Sequence, residues 1–199
     1  MTTFTFPSIV PFSNSIELVT NTKTFRSPLT NAVQTSTRKG SLWRASLKFR
    51  NLSGAERAEM QAFLAKLNGQ EHRFYLQDHS FVRRGTGGGT ISVKGAGQTG
   101  STLLVDGASF SVTDYLKAGD YIAFNNELHM VTADCDSDGL GEVSIPVAPP
   151  IRKPTVDNDL VDYNVPVLGV FMLASSTSWS TDASLLSNFT IEAVEDVLA

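Results

Sequence analysis

The sequence predicts a mainly β protein: a β-sandwich-like parent domain with one amphipathic α-helix, interrupted by a small inserted β-barrel, OB-like. Three observations carry this. Ser41 to Arg50 alternate strictly, with Trp43, Ala45, Leu47 and Phe49 on one side and Arg44, Ser46, Lys48 and Arg50 on the other, the period of a half-buried strand. A helical period follows Ser53 and is found nowhere else at comparable length. Beyond the glycine run Gly85-Thr-Gly-Gly-Gly89, residues 90–148 change to short strands and tight turns.

Residues 1–36 read as short strands broken by Pro7, Pro11, Asn14, Asn21 and Pro28. The candidates are Thr3 to Phe6, Ser15 to Thr20 and Thr22 to Arg26, with Asn21-Thr22 suggesting a hairpin between the last two. In the helix the Ser53 hydroxyl can cap the start while Glu56 reaches back to the Ser53 amide. Met60, Phe63, Leu64 and Leu67 line one face, and Gly69 supplies a left-handed stop. Strand alternation resumes over His72 to Gln77, with Phe74 and Leu76 on one face.

A glycine run is costly to order, so Gly85–Gly89 reads as a flexible hinge. Five strands follow, over Thr90 to Lys94, Thr102 to Val105, Tyr121 to Asn125, Leu128 to Ala133 and Glu142 to Val147, with a single helical turn expected over Ser111 to Lys117. Pro149-Pro150 makes a stiff exit. Val165 to Ala174 then reads as an apolar strand, a Ser/Thr loop surrounds Trp179, and Phe189 to Ala193 alternates again. The expected division is therefore 1–84 with 151–199 as the parent domain and 85–150 as the insertion, the parent folding without it.

The 199 residues are 41 % hydrophobic and 18 % charged, as in a globular chain, and the net charge of −4 argues against nonspecific nucleic-acid binding through a basic surface. The single Cys135 excludes an intramolecular disulfide. The amino terminus lacks the basic segment and apolar core of a signal peptide, which points to synthesis in the cytoplasm, and the run from Val165 to Ala174 is too short to span a bilayer.

Candidate chemistry is sparse. Asp134, Asp136 and Asp138 precede Gly139 with the spacing that opens a calcium loop, where oxygen ligands converge as glycine permits the bend. The twelfth position is Ile145 and not a bidentate Glu, so an acidic turn accounts better for the motif. The glycine run lacks the Gly-Lys-Ser/Thr ending of a phosphate loop. His72, His79 and His129 match no zinc spacing, and no Gly-x-Ser-x-Gly elbow frames a nucleophile. The expectation is a protein that is not an enzyme, with no cofactor and no catalytic residue. Trp43 falls on the apolar side of its strand; Trp179 and Tyr75 could present an aromatic surface.

In Trp43-Arg-Ala-Ser-Leu-Lys-Phe49, the helix Ala55 to Leu67, and Leu67-Asn-Gly69-Gln-Glu-His-Arg-Phe74-Tyr-Leu76, the chain resembles the distal tail proteins of long-tailed, non-contractile bacteriophages. The part from Pro149-Pro-Ile-Arg152 through Val165-Pro-Val to Glu192–Leu198 is similar to the same group. The resemblance implies a homo-oligomeric ring, usually a hexamer, in the virion's tail tip. The ring joins the tail tube protein to the tail-tip hub protein and lets DNA pass without specific binding. It implies also that an OB-like barrel is inserted in or appended to the parent domain. A net negative charge is compatible with a lumen that does not hold DNA. The other function expected from the sequence is a carbohydrate- or receptor-binding module acting through the barrel.

Overall fold

The computed structural model describes residues 1–37, 40–164, 167–175 and 177–197. In chain order they form β1 (Thr3–Thr5), β2 (Ser13–Val19), β3 (Thr22–Arg26), β4 (Val33–Thr37), β5 (Leu42–Leu52), α1 (Gly54–Leu67) and β6 (Arg73–Leu76). Next come β7 (Gly89–Val93), β8 (Gly100–Ala108), β9 (Tyr121–Phe124), β10 (Glu127–Val131), β11 (Val143–Ile151) and β12 (Leu160–Val161). The chain ends with β13 (Gly169–Leu173), β14 (Trp179–Thr181) and β15 (Ser187–Glu195). The fold is mainly β with one helix and curled sheets.

The first sheet runs β1-β6-β13-β15-β5-β2, with β14 also on β15; β1 and β6 are its parallel pair. Its spine is β5, whose Trp43, Ala45, Leu47 and Phe49 are all buried, as the alternation requires. At Asn51 the backbone turns left-handed (φ 58°) and the register against β15 shifts, so Leu52 also points inward. The helix carries the chain from β5 across two strands to β6, and the apolar spacing of Met60, Phe63, Leu64 and Leu67 buries all four. Phe63 meets Phe6 edge-on at 5.0 Å and Phe74 at 5.7 Å between ring centroids. At the helix start the Glu56 carboxylate accepts the Ser53 amide at 3.2 Å and the Ser53 hydroxyl at 3.3 Å. The left-handed stop begins one residue before the expected glycine, at Asn68 (φ 47°), and continues through Gly69.

The second sheet runs β12-β7-β8-β11-β10-β9, every neighbouring pair antiparallel. Ala123 and Asp162 exchange two backbone hydrogen bonds of 2.7 and 2.8 Å, which join β9 to the end of β12 and curl the sheet into a small barrel. Ile91, Val93, Leu103, Val105, Ile145 and Val147 fill it. It has one strand more than the five foreseen. Leu160–Val161 is too short to stand out in sequence, yet it places the return to the first sheet after Tyr163 and not at residue 151.

The two sheets share a strand pair. Along β9, Ile122 and Phe124 face the barrel interior while Tyr121 and Ala123 enter the core of the first sheet, joined there by Leu128 of β10. Removing the barrel would take these side chains out of the first core.

The glycine run is likewise no hinge. Asp120 accepts the amides of Arg84 (2.8 Å) and Gly85 (2.9 Å), and Gly87 donates to the Tyr115 carbonyl at 2.9 Å. The Tyr115 hydroxyl donates to Gly88, and Arg83 donates to the Gly85 and Gly87 carbonyls. The glycines are needed for room: a Cβ on Gly87 would lie 2.6 Å from the Tyr115 carbonyl oxygen and 2.8 Å from its ring. Composition reports the entropy cost of ordering such a run and is blind to a clamp made by distant residues.

Three further expectations differ. The Asn21-Thr22 hairpin does not form, because β2 pairs with β5 and extends its apolar face with Ile16 and Leu18, leaving β3 to pair with β4. Ser111 to Lys117 is a chain of turns, with left-handed residues at Ser111 and Asp114. Of the strand expected over Val165 to Ala174, Gly169–Leu173 forms it; Val165 and Pro166 lie outside the described residues.

Phe63→Ala is expected to cost about 3–5 kcal/mol in denaturant unfolding, the loss for a large aromatic in a packed core. Gly87→Ala, one methyl against a closed wall, is expected to cost about 1–3 kcal/mol in the same measurement. A neutral Gly87→Ala would mean that the strap is loose after all.

Candidate functional site

The residues with candidate chemistry are held apart. Each aspartate of the acidic motif caps a different piece of backbone. Asp134 accepts the Ala118 amide (2.8 Å) and Asp136 the Asp114 amide (2.7 Å); Asp138 takes those of Leu140 and Glu142 (2.8 Å each). The three side chains thus serve a turn-rich loop, and among the described residues no group of three or more His, Cys, Asp or Glu is placed to hold a metal ion.

The histidines are scattered. His72 accepts the Thr2 amide at 3.4 Å and meets Phe4 edge-on. Burial lowers the pKa of His79, with neighbouring Asp78 opposing. Burial pushes the Cys135 thiol up to about 11, and the thiol lies 3.6 Å from the Leu116 carbonyl. Trp43 is buried, and its indole donates to the Leu128 carbonyl at 2.8 Å. Trp179 is 46 % exposed, but it stands on β14 of the first sheet, stacked on Phe189, and is no part of the barrel; Tyr75, half-buried, is on β6.

Sequence reasoning missed a buried polar cluster where the two sheets meet. The Glu195 side chain, fully buried, accepts four hydrogen bonds: from Trp43 N (3.1 Å), Leu128 N (3.0 Å), and Arg152 Nη1 and Nη2 (2.8 Å each). Arg152 Nη1 also donates to the Ser41 carbonyl at 2.7 Å. Its guanidinium lies 3.4 Å from Glu127, and His129 sits 3.3 Å from the same carboxylate while its Nδ1 meets the Pro149 carbonyl at 2.8 Å. One signal was available. The alternation Phe189, Ile191, Ala193 continues to Glu195, which puts a carboxylate in an inward slot that only a strong partner could make tolerable. With both Glu195 oxygens saturated and the group sealed from solvent, the cluster locks strands together.

Two exposed features stand out among the described residues. The β3–β4 ribbon pairs with neither sheet, and its described strand side chains are all exposed, including Phe25 at 60 %; Leu29 at its turn is 93 % exposed. On the barrel, a groove of about 380 Å³ is lined by Lys94, Leu104, Asp136, Asp138, Glu142 and Ser144. Leu104 in this groove is 47 % exposed.

Burial alone would raise the Glu127 carboxyl, but His129 and Arg152 outweigh it and hold its pKa below the ordinary value of 4.5. A depressed folded pKa adds stability that is fully present above the unfolded value and lost as pH falls through the folded one. Unfolding free energy measured from pH 7 downward is therefore expected to fall below about pH 4.5, and Glu127→Gln to remove that component while lowering stability at pH 7. No model of a known protein family matches the chain, and no curated protein matches it in sequence.

Proposed function

We propose that the chain is a structural subunit of a ring in the tail tip of a long-tailed, non-contractile bacteriophage. The ring joins the tail tube to the tip hub, and DNA passes through it. The observation that carries this reading is the β3–β4 ribbon. An isolated two-stranded ribbon is marginal in water, and this one exposes Phe25, Leu29 and Val33 with no core of its own beneath them. Such an element makes sense as an arm whose partner is another chain. The sheet edges agree: β2 has β5 on one side and, among the described residues, no strand on the other, so its outer backbone groups can pair with a neighbour.

The strand–helix–strand resemblance over Trp43 to Leu76 supplies the identity of the assembly. In this reading the first sheet with α1 forms the wall and the barrel lies beside it, bound through the Glu195 cluster. The buried lock and the clamped glycine strap suit a part that transmits force without changing shape. No reaction is assigned to it.

Purified chain at micromolar concentration is expected to give annular particles of about six copies by mass photometry and negative-stain microscopy, as a closed cyclic oligomer requires. Particles that stay monomeric at all concentrations, and absence of the chain from purified tails, would overturn the reading.

A further inference from the structure

The net charge of −4 conceals a strong division. From Leu18 to Ala55 the sequence carries seven basic residues (Lys23, Arg26, Arg38, Lys39, Arg44, Lys48 and Arg50) and no acidic one. Residues 89–163, which build the barrel, carry eleven acidic and four basic residues. Of the seven bases, Lys23 and Arg26 stand on the β3–β4 ribbon; of the eleven acids, Asp136, Asp138 and Glu142 line the barrel groove. On the ribbon, Lys23 and Phe25 share one face, while Arg26 and Val33 stand opposite each other and share the second. In the barrel groove, exposed Leu104 lies among Asp136, Asp138 and Glu142. Lys94, paired with Glu142, neutralises one of those three carboxylates and leaves the groove acidic.

We infer that the ribbon of one copy seats in the Asp136–Asp138–Glu142 groove on the barrel of the next copy. The inference rests on the ring reading and says which surfaces meet. Each side offers what the other lacks: bases beside exposed Phe25 and Val33 on the ribbon, acids beside exposed Leu104 in the groove. Unlike surfaces on one chain make a head-to-tail contact, which repeats from copy to copy and closes into a ring when the rotation allows. Like surfaces would repel, ribbon against ribbon or barrel against barrel, so the charge division also discourages a two-fold dimer. A nucleic acid is the competing partner for a basic ribbon, but it would leave Phe25 and Leu29 uncovered and the acidic groove unused.

The test uses the full chain and two charge reversals that spare the loop's backbone caps: Lys23→Glu with Arg26→Glu on the ribbon, and Glu142→Lys with Ser144→Lys in the groove. Association is followed by sedimentation velocity and native mass spectrometry, with melting curves to check folding. Each reversal alone is expected to weaken assembly by about tenfold or more, added salt to weaken the wild type, and the combined variant to recover assembly. Hydrogen exchange on the assembled wild type needs no variant. Residues 22–37 and 134–144 are expected to gain protection together, and protection of one without the other overturns the pairing. A wild type that assembles while the reversals change nothing, or change it without rescue, also overturns the pairing and leaves the ring reading standing. A wild type that never exceeds a monomer overturns both.

Discussion

The Glu195 carboxylate is the point on which the two sheets depend. Moving a carboxylate out of water costs several kcal/mol, so a buried one persists only when strong donors surround it. Here the donors come from three parts of the chain: the start of β5 through Trp43, β10 through Leu128, and the segment after β11 through Arg152. The cluster therefore acts less as a source of net stability than as a fixed address. Displacing β10 would take the Leu128 amide from Glu195 and the Glu127 carboxylate from Arg152, leaving the buried pair with fewer of the bonds that make its burial tolerable. The indole of Trp43, donating to Leu128, repeats the same link with a neutral group.

This lock changes what the barrel is to the rest of the molecule. Tyr121, Ala123 and Leu128 belong to the core that the helix covers from the other side, so the barrel completes that core. The glycine strap points the same way. Asp120 holds two of its amides and also accepts the Lys117 amide at 2.9 Å, so one carboxylate ties the strap to the turn that precedes β9. Strap, turn and shared strands bring the inserted barrel against the first sheet as a continuous packed body.

Local signals were legible and distant ones were not. The β5 alternation and the spacing of the helix's apolar residues each lie within one element, and both stand as read. The Asn21-Thr22 turn signal lost to β5, which lies more than twenty residues further on and offers β2 a longer apolar face. The glycine run was misread because its partners, Tyr115 and Asp120, are distant in sequence. Of the open surfaces, the net charge alone gave nothing, since it averages a basic segment against an acidic barrel. Counting by segment would have separated them.

That division also bears on the passage of DNA. A lumen that does not hold a polyanion needs acidic or neutral groups on the wall that faces it, and the charge of the whole chain does not decide this. The outward face of β5 carries Arg44, Lys48 and Arg50, tempered by Glu17, which lies 3.6 Å from Arg44, and by Glu192 on neighbouring β15. Turned toward the lumen, that face would grip passing phosphates unless neighbours covered its cations. A ring built by seating basic ribbons in acidic grooves neutralises the ribbon cations at the interfaces, but it leaves the β5 face untouched. In such a ring the β5 face is better turned toward an acidic protein neighbour than toward the DNA.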